Sequence, residues 1–244
     1  MLTDFTDSSF DVNWVVNIRK PGEGPRPNLV LDNLNIVRAL SIVQENGGAA
    51  VLTSGTFKDR WAMGNRVESL TGGSKQVTDW VKPNPGKPQV LLDSSGKIFE
   101  RPKPQYEGVD ASSVVNVVSK GAKNDGTGDQ TAILNSILSS SVGSLVFFPA
   151  GIYVVQGTVK IPVGSKIVGQ GWSQIMGKGS AFADESKPKV VVQVGNPGDK
   201  GIMEISDMLF TVSGPTAGAV LMEWNVAAST QGSAAMWGET SISI

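Results

Sequence analysis

Glu223 is the side chain whose surroundings best suit proton transfer, a lone acid in the apolar stretch Ala219-Val220-Leu221-Met222-Glu223-Trp224. Burial in such a strand raises a carboxyl pKa towards that of a general acid. A glutamate with no visible carboxylate partner is more often a hydrogen-bonded structural group, and Glu204 and Asp207 carry still less signal. Asp125 and Asp129, four apart in a glycine-rich loop, could give oxygens to calcium as in a polyuronide eliminase. The competing reading, which is favoured, is a turn followed by a helix N-cap, a position where aspartate excels. Trp61, Trp172, Trp224 and Trp237 offer flat faces for sugar rings. Core packing is the ordinary fate of each, and Trp172, in the Gly169-Gln170-Gly171-Trp172 turn, is the one expected outside. Carboxylates matter because the chain contains no histidine and no cysteine. A Ser-His-Asp triad, a cysteine nucleophile and a thiolate or histidine metal site all drop out. Glycoside hydrolysis is a common reaction class that runs on carboxylates alone.

These side chains must be positioned by short strands. After one amphipathic helix, expected over 129–138 from the spacing of Ile133, Leu134, Ile137 and Leu138, strands are expected at 144–148, 152–155, 158–161, 165–168, 190–194, 203–212 and 219–224. Turn signals at Pro149-Ala150-Gly151, Gln156-Gly157, Pro162-Val163-Gly164 and Gly169-Gln170-Gly171 follow one another faster than the ~8 to 12 residues typical of sandwiches and barrels. That rhythm predicts an all-β fold, a right-handed parallel β-helix with three short strands per coil, its open end capped by the helix. Leu31-Asp32-Asn33-Leu34-Asn35-Ile36 and Ile205-Ser206-Asp207-Met208-Leu209-Phe210 repeat one pattern. Asn33 and Asp207 are placed at corners, where these residue types tolerate left-handed backbone. Five of the 13 prolines, at 83, 85, 88, 102 and 104, mark residues 82–108 as an inter-domain linker. Two domains are therefore expected, over 1–81 and 109–244.

The 244 residues carry a formal net charge of -1, 40% apolar and 18% charged residues and 29 glycines, the composition of a turn-rich globular protein. Neither a basic run for nucleic acid nor an apolar stretch of the ~18 residues a membrane span needs is present. Both are poor partners. The N-terminal residues lack the basic and apolar regions of a signal peptide.

Several ordered motifs resemble the exo-β-1,3-glucanases of glycoside hydrolase family 55, within the pectate-lyase-like superfamily. Arg101-Pro102-Lys103-Pro104-Gln105-Tyr106-Glu107 is similar to that family's inter-domain passage, and Gly121 to Thr131 (GAKNDGTGDQT) to the opening of its second β-helix. Ile161 to Gly169, Glu204 to Phe210 and Gly214 to Asn225 are similar to the early coils that follow. Residues 10–70, with Trp61-Ala62-Met63-Gly64-Asn65, resemble the last coils of the first β-helix. The resemblance implies tandem β-helix domains, the first truncated, with a cleft between them. It further implies an inverting, exo-acting hydrolysis of β-1,3-glucan, no metal cofactor, a monomeric intact parent and an extracellular location. The family's general-acid glutamate lies in later coils, so this chain is expected to be a fragment without it. The alternatives are a calcium-dependent, pectate-lyase-like eliminase and a non-catalytic β-helix that binds glycan or acts as a stalk. A coil cut across its axis exposes core and strand edge, so end-to-end association is expected.

Overall fold

A computed structural model describes residues 2–6, 9–20, 22–24, 27–53, 61–67, 69–80, 88–238 and 240–242. Among the described residues the structure is mostly sheet with one α-helix, and the chain divides into two compact units, Met1–Glu100 and Arg101–Ile244.

The first unit begins with strands β1 (Leu2–Thr6), β2 (Ser9–Asp11) and β3 (Trp14–Ile18). They pair in parallel, one for one, with β4 (Asn28–Asp32), β5 (Asn35–Arg38) and β6 (Ser41–Glu45). The parallel order stops there. Strand β7 (Ala50–Thr53) returns antiparallel on β6 through the turn at Asn46-Gly47-Gly48, where Gly47 adopts φ 60°. An Asn-Gly step is a strong hairpin signal, and the expected run of parallel coils passed over it. Strands β8 (Trp61–Val67) and β9 (Ser74–Trp80) extend the sheet antiparallel on β4. Leu29, Leu31, Leu34, Ile42, Val43, Trp61 and Met63 form the core of this unit.

The second unit opens with β10 (Val115–Asn116) and helix α1 (Thr131–Ser140), which begins two residues later than the periodicity predicts. Leu134, Ile137 and Leu138 bury their stripe in the unit's core. Strands β11 (Leu145–Phe147), β12 (Gly151–Val155), β13 (Val159–Ile161), β14 (Lys166–Lys178) and β15 (Lys189–Val194) follow. Next come β16 (Lys200–Gly201), β17 (Met203–Ser213), β18 (Ala219–Trp224), β19 (Ala227–Ala228), β20 (Ala234–Trp237) and β21 (Thr240–Ile242). From β14 onward the chain visits three sheets in rotation, and every pair of named strands in this unit is parallel.

Register aligns like side chains from turn to turn. Val146, Ile167 and Ile205 form one inward row, and Tyr153, Ile175 and Phe210 another. On the neighbouring sheet Val159 faces Val192, and Ile161 faces Val194. β-Branched and aromatic side chains pack well when stacked across strands, so one turn's sequence pattern selects the next turn's register. Asn33 and Asp207 both adopt left-handed backbone, at φ 51° and 58°. The corner geometry expected from the repeated motif is present at each. Among the described residues, no helix is long and apolar enough to cross a membrane.

Candidate functional site

A dense polar cluster lies on the outer face of β17, under a segment that sequence reading assigned to a linker. Arg101 donates to the Gly232 carbonyl at 2.6 Å and to Glu204 Oε1. The Tyr106 hydroxyl donates to Glu204 Oε2 at 2.9 Å, and Lys103 Nζ meets Asp207 Oδ2 at 2.8 Å. Trp237 Nε1 donates to the Arg101 carbonyl at 3.1 Å, and the Arg101 guanidinium sits 5.1 Å from the Trp237 ring centre. Residues 101–107 thus form a strap across β17 and β20. Glu204, with only 8% of its side chain exposed, has both oxygens engaged by the chain itself. Burial, followed by the carboxylate beside it, pushes the Tyr106 hydroxyl well above the ordinary tyrosine value, so it remains a donor. Tyr106 holds a left-handed φ of 55°, a costly geometry for a bulky residue that persists where its surroundings fix it. Beside this cluster the buried Ser206 hydroxyl has no hydrogen-bond partner among the described residues.

Glu223 lies on β18, half-buried, with Gln193 of β15 opposite in register and the Asn225 amide donating to its Oε1 at 2.6 Å. No second carboxylate joins it among the described hydrogen bonds and ion pairs. Asp125 Oδ1 accepts from the Thr127 hydroxyl at 2.6 Å and backbone N–H at 2.9 Å, which hold its pKa below the ordinary value. Desolvation works to raise the pKa of Asp129, but its hydrogen bonds from Thr131 and from the Gln156 N–H outweigh that and lower it. Each aspartate closes a turn. Asp129 serves Thr131, the first residue of α1, while Gln130 occupies the N-cap without a side-chain cap bond. Among the described residues no group of three or more acids is arranged to hold a metal ion.

The tryptophans separate sharply. Trp61 is 2% exposed and belongs to the core of the first unit, so it offers no face to a ligand; its apolar neighbours were the signal for that. Trp237 is half-buried beneath the strap, and Trp224 packs against the second core with Nε1 bonded to the Val226 carbonyl at 2.8 Å. Trp172 stands 71% exposed on a bulge where the β14–β17 register breaks between Val168 and Ser173. The bulge is pinned from inside. Gln170 Oε1 accepts the Ala150 N–H at 2.8 Å, and Ser173 Oγ donates to the Phe148 carbonyl at 2.6 Å. At Gly169 a Cβ would fall 2.3 Å from the Asp207 carbonyl oxygen, so only glycine permits this approach.

Residues 114–232 match a family model described as rhamnogalacturonase A/epimerase, pectate lyase-like. Over 225 residues, 91% of the chain, it is 32% identical to a glucan 1,3-beta-glucosidase of Cochliobolus carbonum. A probable glucan endo-1,3-beta-glucosidase of Arthroderma benhamiae is 46% identical over 156 residues, 64% of the chain. The chain resembles the β-1,3-glucanases of glycoside hydrolase family 55. A third relative, a non-secreted LysM effector, LysM19, of Penicillium expansum, is 48% identical over 174 residues, 70% of the chain. The chain spans only 27%, 18% and 12% of these three relatives' own lengths, in that order. Of the side chains singled out by residue type, only Trp172 is both aromatic and open to a partner. The Arg101–Glu204–Tyr106 cluster went unrecognised because its members lie about a hundred positions apart in sequence.

Proposed function

We propose that this chain is part of a β-1,3-glucan hydrolase, and that its second unit winds as a right-handed parallel β-helix following the last coils of a first one. The observation that carries this reading is likeness, over 91% of the chain, to a protein named glucan 1,3-beta-glucosidase. The exclusively parallel pairing of the named strands in the second unit supports the winding. In the reaction, one carboxylic acid protonates the glycosidic oxygen while a second carboxylate draws a proton from the attacking water, which inverts the anomeric centre. Glu204 is engaged by Arg101 and Tyr106, and Glu223 stands without a paired acid, so we assign neither role within this chain and place the catalytic glutamate outside it. The contribution of this segment is to bind glucan, with Trp172 as its open aromatic face. We further infer an extracellular, monomeric parent.

Binding decides the reading. The 244-residue chain should co-sediment with insoluble β-1,3-glucan, release no glucose from laminarin, and lose part of that binding on Trp172→Ala. The uronide alternative has the pectate-lyase-like match in its favour. Retention on polygalacturonate with calcium-dependent release of unsaturated products, and none on glucan, would replace our reading with it.

A further inference from the structure

A groove of about 500 Å³ runs between helix α1 and the outer face of β13 and β15, and neither the strap nor Trp172 lines it. Its walls are fixed by hydrogen bonds made before any ligand arrives. Asn135 Oδ1 accepts the Lys160 N–H at 2.7 Å, and its Nδ2 donates to the Thr158 carbonyl at 3.0 Å, tying the helix to the edge of β13. Opposite, the Gly195-Asn196 turn is held by Gly195 N–H on the Ile161 carbonyl and by Asn196 N–H on Asp199 Oδ2, each at 2.8 Å. Gly195 adopts φ 68°, and a Cβ there would lie 2.5 Å from Val226 Cγ2, so the turn is locked to the core behind it. A site built on such walls loses little freedom when it binds.

Three polar side chains lining this groove are left without a protein partner among the described residues: the Lys160 ammonium, the half-buried Gln193 amide and the Ser136 hydroxyl. Lys160 and Gln193 are partners in register on adjacent strands, so their outward ends repeat at the strand spacing of about 4.8 Å. Pro162 and the backbone of Ile161 and Gly195 complete the lining, the Ile161 side chain being turned into the core. Among the described residues no acid lines the groove, so nothing there balances the charge of a metal cation, and a single ammonium is too little for a polyanion. The Pro162 ring and the aliphatic stem of Lys160, with a rim of amide, hydroxyl and ammonium groups, match a pyranose, which presents C–H faces and hydroxyl edges.

We propose that this groove is a glycan-binding subsite for a neutral β-glucan chain, with Lys160, Gln193 and Ser136 as its hydrogen-bonding contacts. The proposal rests on the glucan reading above and adds to it a second contact surface, apart from Trp172. The test is calorimetric titration of the full chain with laminarihexaose. Lys160→Ala combined with Gln193→Ala should weaken binding about tenfold, the loss expected for two net hydrogen bonds of ordinary strength. Lys160→Met, which keeps the aliphatic stem of an exposed side chain and removes only its ammonium, should weaken it while leaving the melting temperature unchanged, which separates lost contact from lost fold. Unchanged affinity in these variants, with loss on Trp172→Ala, would overturn the subsite and leave the glucan reading intact. Hexaose ignored by the unmodified chain while oligogalacturonate binds would overturn both.

Discussion

Five aspartates in the described residues share one local motif. In Asp93, Asp110, Asp125, Asp129 and Asp184 a single carboxylate oxygen accepts both the backbone N–H and the hydroxyl of a serine or threonine two positions on. The pattern Asp-x-Ser/Thr satisfies donors at points where the chain changes direction. It also has a pH signature. All five carboxyls are held below their ordinary value of 3.8. The unfolded chain therefore binds protons before the folded one as pH falls, and stability rises with pH across that window. The contribution is complete above the unfolded value and disappears as pH drops through the lowered folded values. Urea unfolding should give a free energy nearly flat from pH 7 to about 5 and falling below about 4, with Asp129→Asn showing a shallower fall. A maximum below pH 4 would contradict the assignment. These groups are mostly solvent-exposed, so each effect is small and the sum is what is measured.

The strap is an element without regular secondary structure, yet it covers the outer face of a central strand. Its attachment concentrates on Glu204, so removing a partner leaves a largely buried carboxylate poorly matched. Arg101→Ala should lower stability by about 2–3 kcal/mol, the low side of the range for a broken buried pair because the arginine keeps part of its surface in solvent. Tyr106→Phe should cost about 1–2 kcal/mol. Combining Arg101→Ala with Glu204→Gln should recover part of the first loss, since the stranded charge is gone. Equal stability of all three proteins in chemical denaturation would mean that the strap contributes no clamping. What was legible in sequence follows from range. Helix α1 and most strands of the second unit declare themselves through local periodicity, and the corners at Asn33 and Asp207 through side-chain chemistry acting on its own backbone. The role of Glu204 depends on Arg101 and Tyr106, about a hundred residues earlier, and no local pattern encodes that meeting. Trp61 was legible in part: the apolar Ala62 and Met63 that follow it point to the core, where it lies. The antiparallel return at β7 was missed although Asn46-Gly47 announced it, because the expectation of continuing parallel coils overrode a turn signal.

At the scale of the molecule, the two ends of the second unit's stack differ. Helix α1 lies over the first turn and inserts Leu134, Ile137 and Leu138 into the core. At the other end β18, β19 and β20 each pair with one strand only among the described residues, as β10, β13 and β16 do at the first, but no described helix lies over them. Burial records the difference. Val192 and Val194 of β15 are fully buried, while their register partners Met222 and Trp224 of β18 are half-exposed, as are Val220 and Met236. Unpaired strand edges beside apolar side chains recruit further strands. Because the helix blocks the opposite end, head-to-tail stacking cannot propagate through this unit, and a closed pair related by a two-fold axis is the association the geometry favours. Light scattering on the 244-residue chain should therefore show mass rising with concentration towards a dimer plateau rather than open-ended growth. Val220→Lys together with Met236→Lys places charge on that surface and should return the chain to monomer without lowering the melting temperature by more than a few degrees. A monomer at all concentrations would show that this turn is adequately covered as it stands, whereas unlimited growth would mean that the helix does not close its end.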